Sequence, residues 1–445
     1  METISVPTIG HRNKSSVHIR RRPAQKLRTR PLNVLFVHNN FPGQYRHIAQ
    51  ALARDKNVNI VAIGSSTSHG LDGVKLLKYD LGNIDVSTAH PFARRFDFEC
   101  YRAEHVLYGL SSLAANKFVP DVILAHAGWG EALPLRTVFP SARILLYCEF
   151  FYAKSGRDVG FDREFPDTGA DGHVALHLKN ASTLLALADC DVAISPTDWQ
   201  RSTFPEPYRD KIRIVHEGID TDVVKPKSDA VFQLPSGRKL RRMDEVVTFV
   251  ARNLEPLRGY HVFTRALPRI MAERPRAQIV VIGGDSVSYG AAPPPGATWK
   301  TQFFNEVADR VDPKRIHFTG RLPYADYLRA LQVSSAHVYL TYPFVLSWSL
   351  LEAMSAGCVV VGSDTAPVRE IVNGKNGLLV PFFDIERIAE QIIEVLAHPQ
   401  QLRSTRAKAR QTILDQYDLK RICLPRMMAL IKRPQPANGE WALAG

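Results

Sequence analysis

Short apolar runs recur along the chain, and most are nearly continuous rather than alternating. In the first half they are NVLFVH (33–38), NVNIVAIG (57–64), DVILAHA (121–127), RILLYCEFFY (143–152) and CDVAIS (190–195). A strand covered on both faces reads this way, so these runs predict a parallel sheet between helical layers. The segments between them carry helical spacing. YRHIAQALARD puts Ile48, Ala49, Leu52 and Ala53 on one face, and helices are predicted over 102–117 and 173–188. DKIRIVHEGID (210–220) leads out of this half, and residues 223–245 then break the pattern with Pro, Gly and charge. Beyond them it restarts with VVTFVA (246–251), a helix over 262–274, QIVVIGG (278–284), RIHFTG (315–320) and a helix over 324–332. HVYLT (337–341), WSLLEAMSA (348–356) and CVVVGS (358–363) form a βαβ unit, and helices follow over 385–396, 402–416 and 420–431. The Pro-rich stretch 288–299 admits no helix, and Pro425 should kink or break the last one.

This alternation sets the fold class as α/β, with two doubly wound parallel-sheet domains facing a cleft. The expected organisation is a disordered basic tail over 1–30, a first domain over 31–225 and a second over 226–432. The last helix is a candidate to pack back on the first domain, and 433–445 should be a loose tail. Residues 1–30 hold eight Lys or Arg against Glu2 alone, which supplies +7 of the net +13. Such an arm suits an anionic surface, nucleic acid or plain solvation, and its Arg-rich composition also resembles a transit peptide. No apolar run is long enough to cross a membrane. The five cysteines are scattered without a CxxC pair, as in a reduced, cytoplasmic protein. The loop 153–172, rich in Gly and Asp, is longer than a connector needs to be.

Candidate chemistry concentrates at strand ends. Ser347 is a plausible N-cap, and the capping-box position holds Leu350, so the amides of Trp348, Ser349 and Leu350 are free for an anion such as phosphate. One turn on, Glu352 is the only charge among apolar neighbours and needs a partner; ribose hydroxyls would serve. Arg252 and Arg258 follow a strand in ARNLEPLRG, and guanidinium forks suit a diphosphate. Gly43 lies in the first strand-to-helix turn. The DxD triplets at Asp189 and Asp220, and the GG at Gly283, lack the context for a metal or a nicotinamide. The 15 histidines show no HExxH spacing, so no catalytic metal is expected.

These markers together (FPGQ, EGID, ARNLEPLRG, HFTGRLP, LEAMSAGCVVVGSD, VREIV and NGLLV) resemble the GT-B-fold retaining glycosyltransferases of family 4, group 1, over about residues 31–431. The resemblance implies two Rossmann-like domains and transfer of a hexosyl group from a UDP- or GDP-linked sugar to an acceptor hydroxyl, with retention and no cofactor or metal. Polysaccharide or glycoconjugate biosynthesis is the expected setting. It implies that Glu352 holds the donor ribose, that Arg252 and Arg258 hold the diphosphate, and that Arg321 lies near the base. Gly43, Leu346, Ser347, Trp348, Ser349 and Leu350 complete the donor set. Asp364 and Glu370 fall in the trailing part of the motif. Two departures mark a divergent subgroup. The first Glu of the family's E-x7-E pattern falls on Phe344. The place of the usual histidine after the fourth apolar run falls on Glu149, with His126 the nearest remaining histidine, so Glu149 and His126 join the arginines as catalytic candidates. The acceptor (saccharide, lipid-linked or small molecule) should meet the first domain near Gly43, Glu149 and the 156–171 loop. The expected location is the cytoplasm, with the inner membrane surface as a candidate site of peripheral contact; nucleic acid is not expected as a partner. The alternative activity is a nucleotide-sugar epimerase of the same fold.

Overall fold

A computed structural model describes residues 30–165 and 168–432; most of the basic tail and all of the final segment lie outside the described residues. The first domain is a sheet of seven parallel strands: β1 (Leu32–Val37), β2 (Val58–Ser65), β3 (Lys75–Tyr79), β4 (Val122–His126), β5 (Arg143–Tyr147), β6 (Val192–Ser195) and β7 (Ile212–Ile214). Their order is β3-β2-β1-β4-β5-β6-β7. A short antiparallel hairpin, β8 (Val231–Gln233) and β9 (Lys239–Arg241), occupies the segment read as an interruption. The second sheet has six parallel strands: β10 (Val246–Asn253), β11 (Gln278–Gly284), β12 (Ile316–Gly320), β13 (Ala336–Tyr339), β14 (Val359–Ser363) and β15 (Leu378–Val380), in the order β12-β11-β10-β13-β14-β15. The expected pair of parallel-sheet α/β domains is therefore present.

Both faces of each sheet are covered, which is why the strand runs are continuous. β4 and β5 are buried at every residue. Leu35, Val37 and Ile123 point into one helical layer, and Val34, Phe36 and Leu124 into the other. The helix expected over 173–188 is two helices, Gly169–Leu178 and Ala181–Asp189. Asn180 breaks them. It is buried, accepts a hydrogen bond from the Tyr152 amide at 2.9 Å and donates to the Tyr152 carbonyl at 3.0 Å. Helix Arg94–Ala115 begins eight residues before the expected start at Arg102. Near Pro425 the last helix changes character, from a π turn over Leu419–Cys423 to an α-helix over Leu424–Lys432.

That final helix crosses back to the first domain. Met427 and Ile431 join the core formed with Val34, Phe36 and Ile48, and Lys432 pairs with Asp55 at 2.9 Å. Two segments thus connect the domains, residues 215–224 and 417–424, and they touch through an Ile219–Asp418 bridge.

Each sheet has one place where strand order reverses, between β1 and β4 and between β10 and β13. Ligands of open α/β sheets bind outside the strand carboxyl ends at such switch points. Here the two carboxyl edges face each other. Phe150, after β5, meets Phe344, after β13, at a ring separation of 4.8 Å.

Candidate functional site

The switch point of the first domain carries a linked set of polar side chains. The Asn40 amide donates to His38 Nδ1 at 3.0 Å. That fixes the ring proton on Nε2, which donates to Gln44 Oε1 at 2.7 Å. Gln44 Nε2 in turn donates to Glu149 Oε1 at 3.3 Å. From the other side, the Gly128 amide donates to His126 Nδ1 at 3.1 Å, so the Nε2 proton faces Glu149 Oε2 at 3.4 Å. Burial and the neighbouring His126 push His38 down to about 3, so this imidazole is neutral. Burial pushes the Glu149 carboxyl up, but His126, Gln44 and His38 more than offset it, and the group lies below the ordinary glutamate value. Glu149 is therefore an ionised acceptor with 30% of its side chain open to the cleft. Its depressed basicity favours holding a hydroxyl over removing a proton.

Gly43 belongs to this set by packing. Its φ is +44°, and a Cβ there would lie 2.5 Å from the His38 ring, so only glycine lets the turn close over the imidazole. His126 is stacked on Trp129 with centroids 3.7 Å apart. His38, Gln44 and Trp129 had no distinguishing sequence signal beyond lying at the ends of β1 and β4.

At the switch point of the second domain, Arg252 is the penultimate residue of β10 and is exposed. No acceptor pairs with it among the described residues. Arg258 is different. It ends a short 3-10 turn, is buried, and donates to Thr341 Oγ1 at 3.0 Å and to the Val345 carbonyl at 2.9 Å. Its guanidinium lies 5.7 Å from both the Tyr289 and the Phe344 rings. Arg321, just past β12, is exposed and donates to Asn253 Oδ1 at 3.3 Å.

Ser347 caps the Trp348–Ala356 helix, and Gly357 closes it in the left-handed conformation. The Ser347 hydroxyl accepts a long bond from the Ser349 amide, 3.4 Å, while its own amide donates to Tyr339 Oη at 2.7 Å. The Leu350 amide turns back to the Ser347 carbonyl at 3.2 Å, and the Trp348 amide has no acceptor among the described residues. Glu352 is half-buried, and both of its oxygens have partners. Tyr324 donates to Oε1 at 2.8 Å and Tyr327 to Oε2 at 2.6 Å. Burial raises its pKa, and the two hydroxyls hold part of that rise back. Leu346 is half-buried at the helix entry.

Phe344 is 3% exposed and sits between Phe150 of the first domain and Tyr289 at 5.1 Å. Glu217, in the EGID segment, bridges the domains. It accepts from Tyr147 Oη and from Trp348 Nε1, the latter at 3.2 Å, and burial pushes its carboxyl up to about 7. Glu370 accepts from the amides of Asp198 and Trp199 at 2.8 and 2.7 Å, and Asp364 pairs with Arg369 at 2.5 Å.

The long loop expected to face an acceptor also reaches across to the second domain. Asp162 Oδ2 accepts from His261 Nε2 at 2.9 Å and from Tyr342 Oη at 2.7 Å. Glu164 accepts two bonds of 2.6 Å from Arg265. Asp162, Glu164 and His261 are the one His/Cys/Asp/Glu group among the described residues with metal-like spacing. Both carboxylates are already taken up by neutral or cationic donors, so the geometry fits a strap better than a metal ligand set.

Two family models match the chain, "Glycosyl transferase family 4 group" over residues 56–224 and "Glycosyl transferases group 1" over 235–412. Among curated relatives, the phosphatidyl-myo-inositol mannosyltransferase of Mycolicibacterium smegmatis is 30% identical over 36% of this chain and 38% of its own length. The D-inositol 3-phosphate glycosyltransferase of Mycobacteroides abscessus is 31% identical over 42% of this chain and 39% of its own. The chain thus spans less than half the length of these two relatives. It spans 71% of a Mycobacterium tuberculosis GDP-mannose-dependent alpha-(1-6)-phosphatidylinositol monomannoside mannosyltransferase, at 25% identity and over 65% of this chain. Among solved structures, the sucrose-phosphate synthase of Thermosynechococcus elongatus superposes with a TM-score of 0.65 at 16% identity, covering 90% of this chain and 98% of that one. Anabaena Alr3699/HepE in complex with UDP-glucose gives 0.61 at 14% identity, covering 90% and 100%. These likenesses establish the two-domain GT-B fold.

Proposed function

The chain belongs to the group 1 glycosyl transferases of family 4, and from that premise we propose that it moves a hexosyl group from a nucleoside diphosphate sugar to an acceptor hydroxyl with retention at the anomeric carbon. The observation that carries this reading is the arrangement at the second switch point. A capped helix start whose Trp348 amide, like Arg252, has no partner among the described residues and, one turn on, a half-buried Glu352 suit a diphosphate and a ribose side by side. The GDP-mannose-dependent relative and the UDP-glucose complex name donors of this class, so the donor is proposed as a GDP- or UDP-linked hexose.

In this mechanism the diphosphate leaves against preorganised positive charge. Arg252 and the Trp348 amide face the developing anion, while the Ser349 and Leu350 amides, expected to be free, turn back to Ser347. Arg258, fixed by Thr341 and Val345, acts from behind by holding the loop that presents them. Fixed cations and amides supply this stabilisation, so the proposed reaction needs no metal. The ionised Glu149 accepts a sugar hydroxyl, and the neutral His38, through Gln44, together with His126 locks its orientation. Apposition of the domains keeps water from the activated sugar. The acceptor is a saccharide, a lipid-linked saccharide or a small polyol, and the enzyme is proposed to work in the cytoplasm. No helix among the described residues is long and apolar enough to cross a membrane.

A thermal-shift screen of UDP-, GDP- and ADP-sugars identifies the donor, since a ligand that binds only the native state raises its melting temperature. With that donor, Arg252→Ala and Glu352→Ala should each lower transfer at least about tenfold, about 1.4 kcal/mol of barrier, with the melting temperature retained. Unchanged kinetics in both variants removes the donor-site assignment. Donor incubated without acceptor should hydrolyse slowly or persist, and formation of an epimer would replace the transferase reading.

A further inference from the structure

Beside the cleft, on the flank of the first domain, lies a cavity of 600 Å³. It is open to solvent on one side and lined by the residues after β5, the Gly169–Leu178 helix and the 203–209 segment. Its size is that of a small-molecule site, which typically measures about 300–1,000 Å³. Its charge is one-sided. Lys154, Arg157, Arg209, His173 and His177 line it, and among the described residues no carboxylate does. The nearby Asp158 is not in the wall, but it is a counter-charge to Arg157 and also acts on Tyr152 and Lys179.

The two arginines are built in rather than solvated. Arg157 donates through Nη1 to the Phe151 carbonyl and through Nη2 to the Thr203 carbonyl, the latter at 2.5 Å. Arg209 Nε donates to the Phe204 carbonyl at 2.8 Å, which orients the guanidinium and leaves its Nη groups without acceptors among the described residues. Lys154 has no partner among the described residues. The apolar walls come from Phe151, Tyr152 and Phe204. Asp158 answers Arg157 alone, and Arg209 repels that guanidinium; Lys154 and Arg209 have no carboxylate partner among the described residues, so an anion seated there gains charge-assisted bonds and relieves the repulsion. The cavity also adjoins the proposed reaction centre. Phe151 lies two residues beyond Glu149, and Arg157 is 5.9 Å from the ring of Phe150, which touches Phe344 at 4.8 Å.

We propose that this cavity binds a phosphate ester carried by the acceptor, which would present the acceptor's hydroxyl toward Glu149; the assignment to the acceptor rests on the transferase reading above. A soluble polyol phosphate and a lipid headgroup offer the same phosphate chemistry. The full chain, held at saturating nucleoside diphosphate so that the donor site is filled, is titrated with glycerol 3-phosphate and with glycerol. It is also sedimented with phosphatidylglycerol and with phosphatidylcholine vesicles.

Glycerol 3-phosphate should bind and glycerol should not. Lys154→Ala/Arg209→Ala should weaken the phosphate ester at least about tenfold, as expected for loss of charge-assisted bonds. The same variant should leave nucleoside diphosphate affinity unchanged. A surface control of equal charge, Lys75→Ala/Lys78→Ala, should change neither. Loss of phosphatidylglycerol binding in the pocket variant, but not in the control, assigns the phosphate to a lipid. Selective loss of glycerol 3-phosphate alone assigns it to a soluble acceptor. Equal binding of glycerol and its phosphate, or equal losses in the pocket and control variants, overturns the proposal. Failure of every nucleoside diphosphate to bind refutes the transferase reading instead, and leaves the phosphate titration to be read on its own.

Discussion

Removing the Asp162 carboxylate should release the loop that straps the first domain to the second. Asp162 is 6% exposed, and its Oδ2 accepts from His261 and Tyr342, while Oδ1 accepts from the Glu164 amide at 3.0 Å. His261 is 1% exposed and its Nδ1 has no partner among the described residues, so it has no second anchor. Asp162→Ala would leave a buried imidazole N–H and a buried phenol without acceptors. Breaking a buried hydrogen-bonded pair in this way costs about 3–5 kcal/mol. Asp162→Asn is milder. Its carbonyl can keep both side-chain donors, losing charge assistance and the Glu164 amide bond, for about 1–2 kcal/mol. The aromatic seats remain in both variants, with Phe161 5.1 Å from Tyr342 and Phe165 5.5 Å from Trp299. The strap should therefore open locally before the domains unfold. Limited trypsinolysis reads this directly, because Arg163 is exposed and cleavage after it needs the strap to lift. A loss of about 3 kcal/mol raises the open population by about a hundredfold. Cleavage of Asp162→Ala at the wild-type rate, with Phe165→Ala cleaved fast, would refute the claim that the carboxylate holds the strap.

Three further outcomes follow from the cleft. Glu217 has its carboxyl raised by burial from 4.5 to about 7, with Tyr147, Trp348, Tyr45, Cys423 and the neutral His216 facing it and no cation paired with it among the described residues. The folded state binds this proton more tightly than the unfolded chain, so the contribution is whole below 4.5 and is lost as pH rises through about 7. Glu217→Gln should match the wild type in melting temperature near the acid end of that window and exceed it above; parallel pH curves would contradict the assignment. Phe344→Ala empties a fully packed aromatic site between the domains and should cost about 3–5 kcal/mol in urea denaturation, with Phe344→Leu costing clearly less. A loss below about 1 kcal/mol would mean the Phe150 contact carries no load. Tyr327→Phe leaves Glu352 Oε2 without its 2.6 Å donor and should weaken nucleotide binding by about tenfold. The half-exposed Tyr324 should matter less when replaced by Phe, and the reverse order in calorimetry would remove Tyr327 as the anchor.

What could be read from the sequence was what local pattern encodes. β1, β4, β5 and β14 announce themselves because a strand buried on both faces has no room for polar residues. β3, KLLKY, does not, since Lys75 and Lys78 lie exposed at the sheet's edge and dilute the signal. The hairpin β8–β9 hides in a charged segment because only Phe232 and Leu240 need burial there. The break at Asn180 depends on Tyr152, 28 residues away, and no helical periodicity encodes it. The same division holds at the site. Ser347 as a cap and Glu352 as a misplaced charge were legible from spacing. Their partners were not, because Tyr324 and Tyr327 come from another helix, and His38 meets Gln44 and Glu149 only once the sheet brings β1, β4 and β5 side by side.

The contacts that join the two domains arise on the same loops that carry the proposed site. Phe150 follows Glu149 and packs on Phe344; Glu217 lies at the domain crossing and holds Trp348, whose backbone starts the anion-facing helix; Asp162 pins Tyr342, three residues after β13. Domain apposition and site assembly are then one event, since moving either half displaces both a contact and a functional group. This gives the departure at Phe344 a physical meaning. A carboxylate there would lie beneath Arg258 and against Phe150, desolvated and costly to keep ionised. The phenyl ring instead gives its surface to the domain contact, and on the proposed reading the sugar is gripped from the opposite side of the cleft. There Gln44, His126 and the neutral His38 hold an ionised Glu149 in place, so orientation of the donor sugar should depend on the first domain more than on the second.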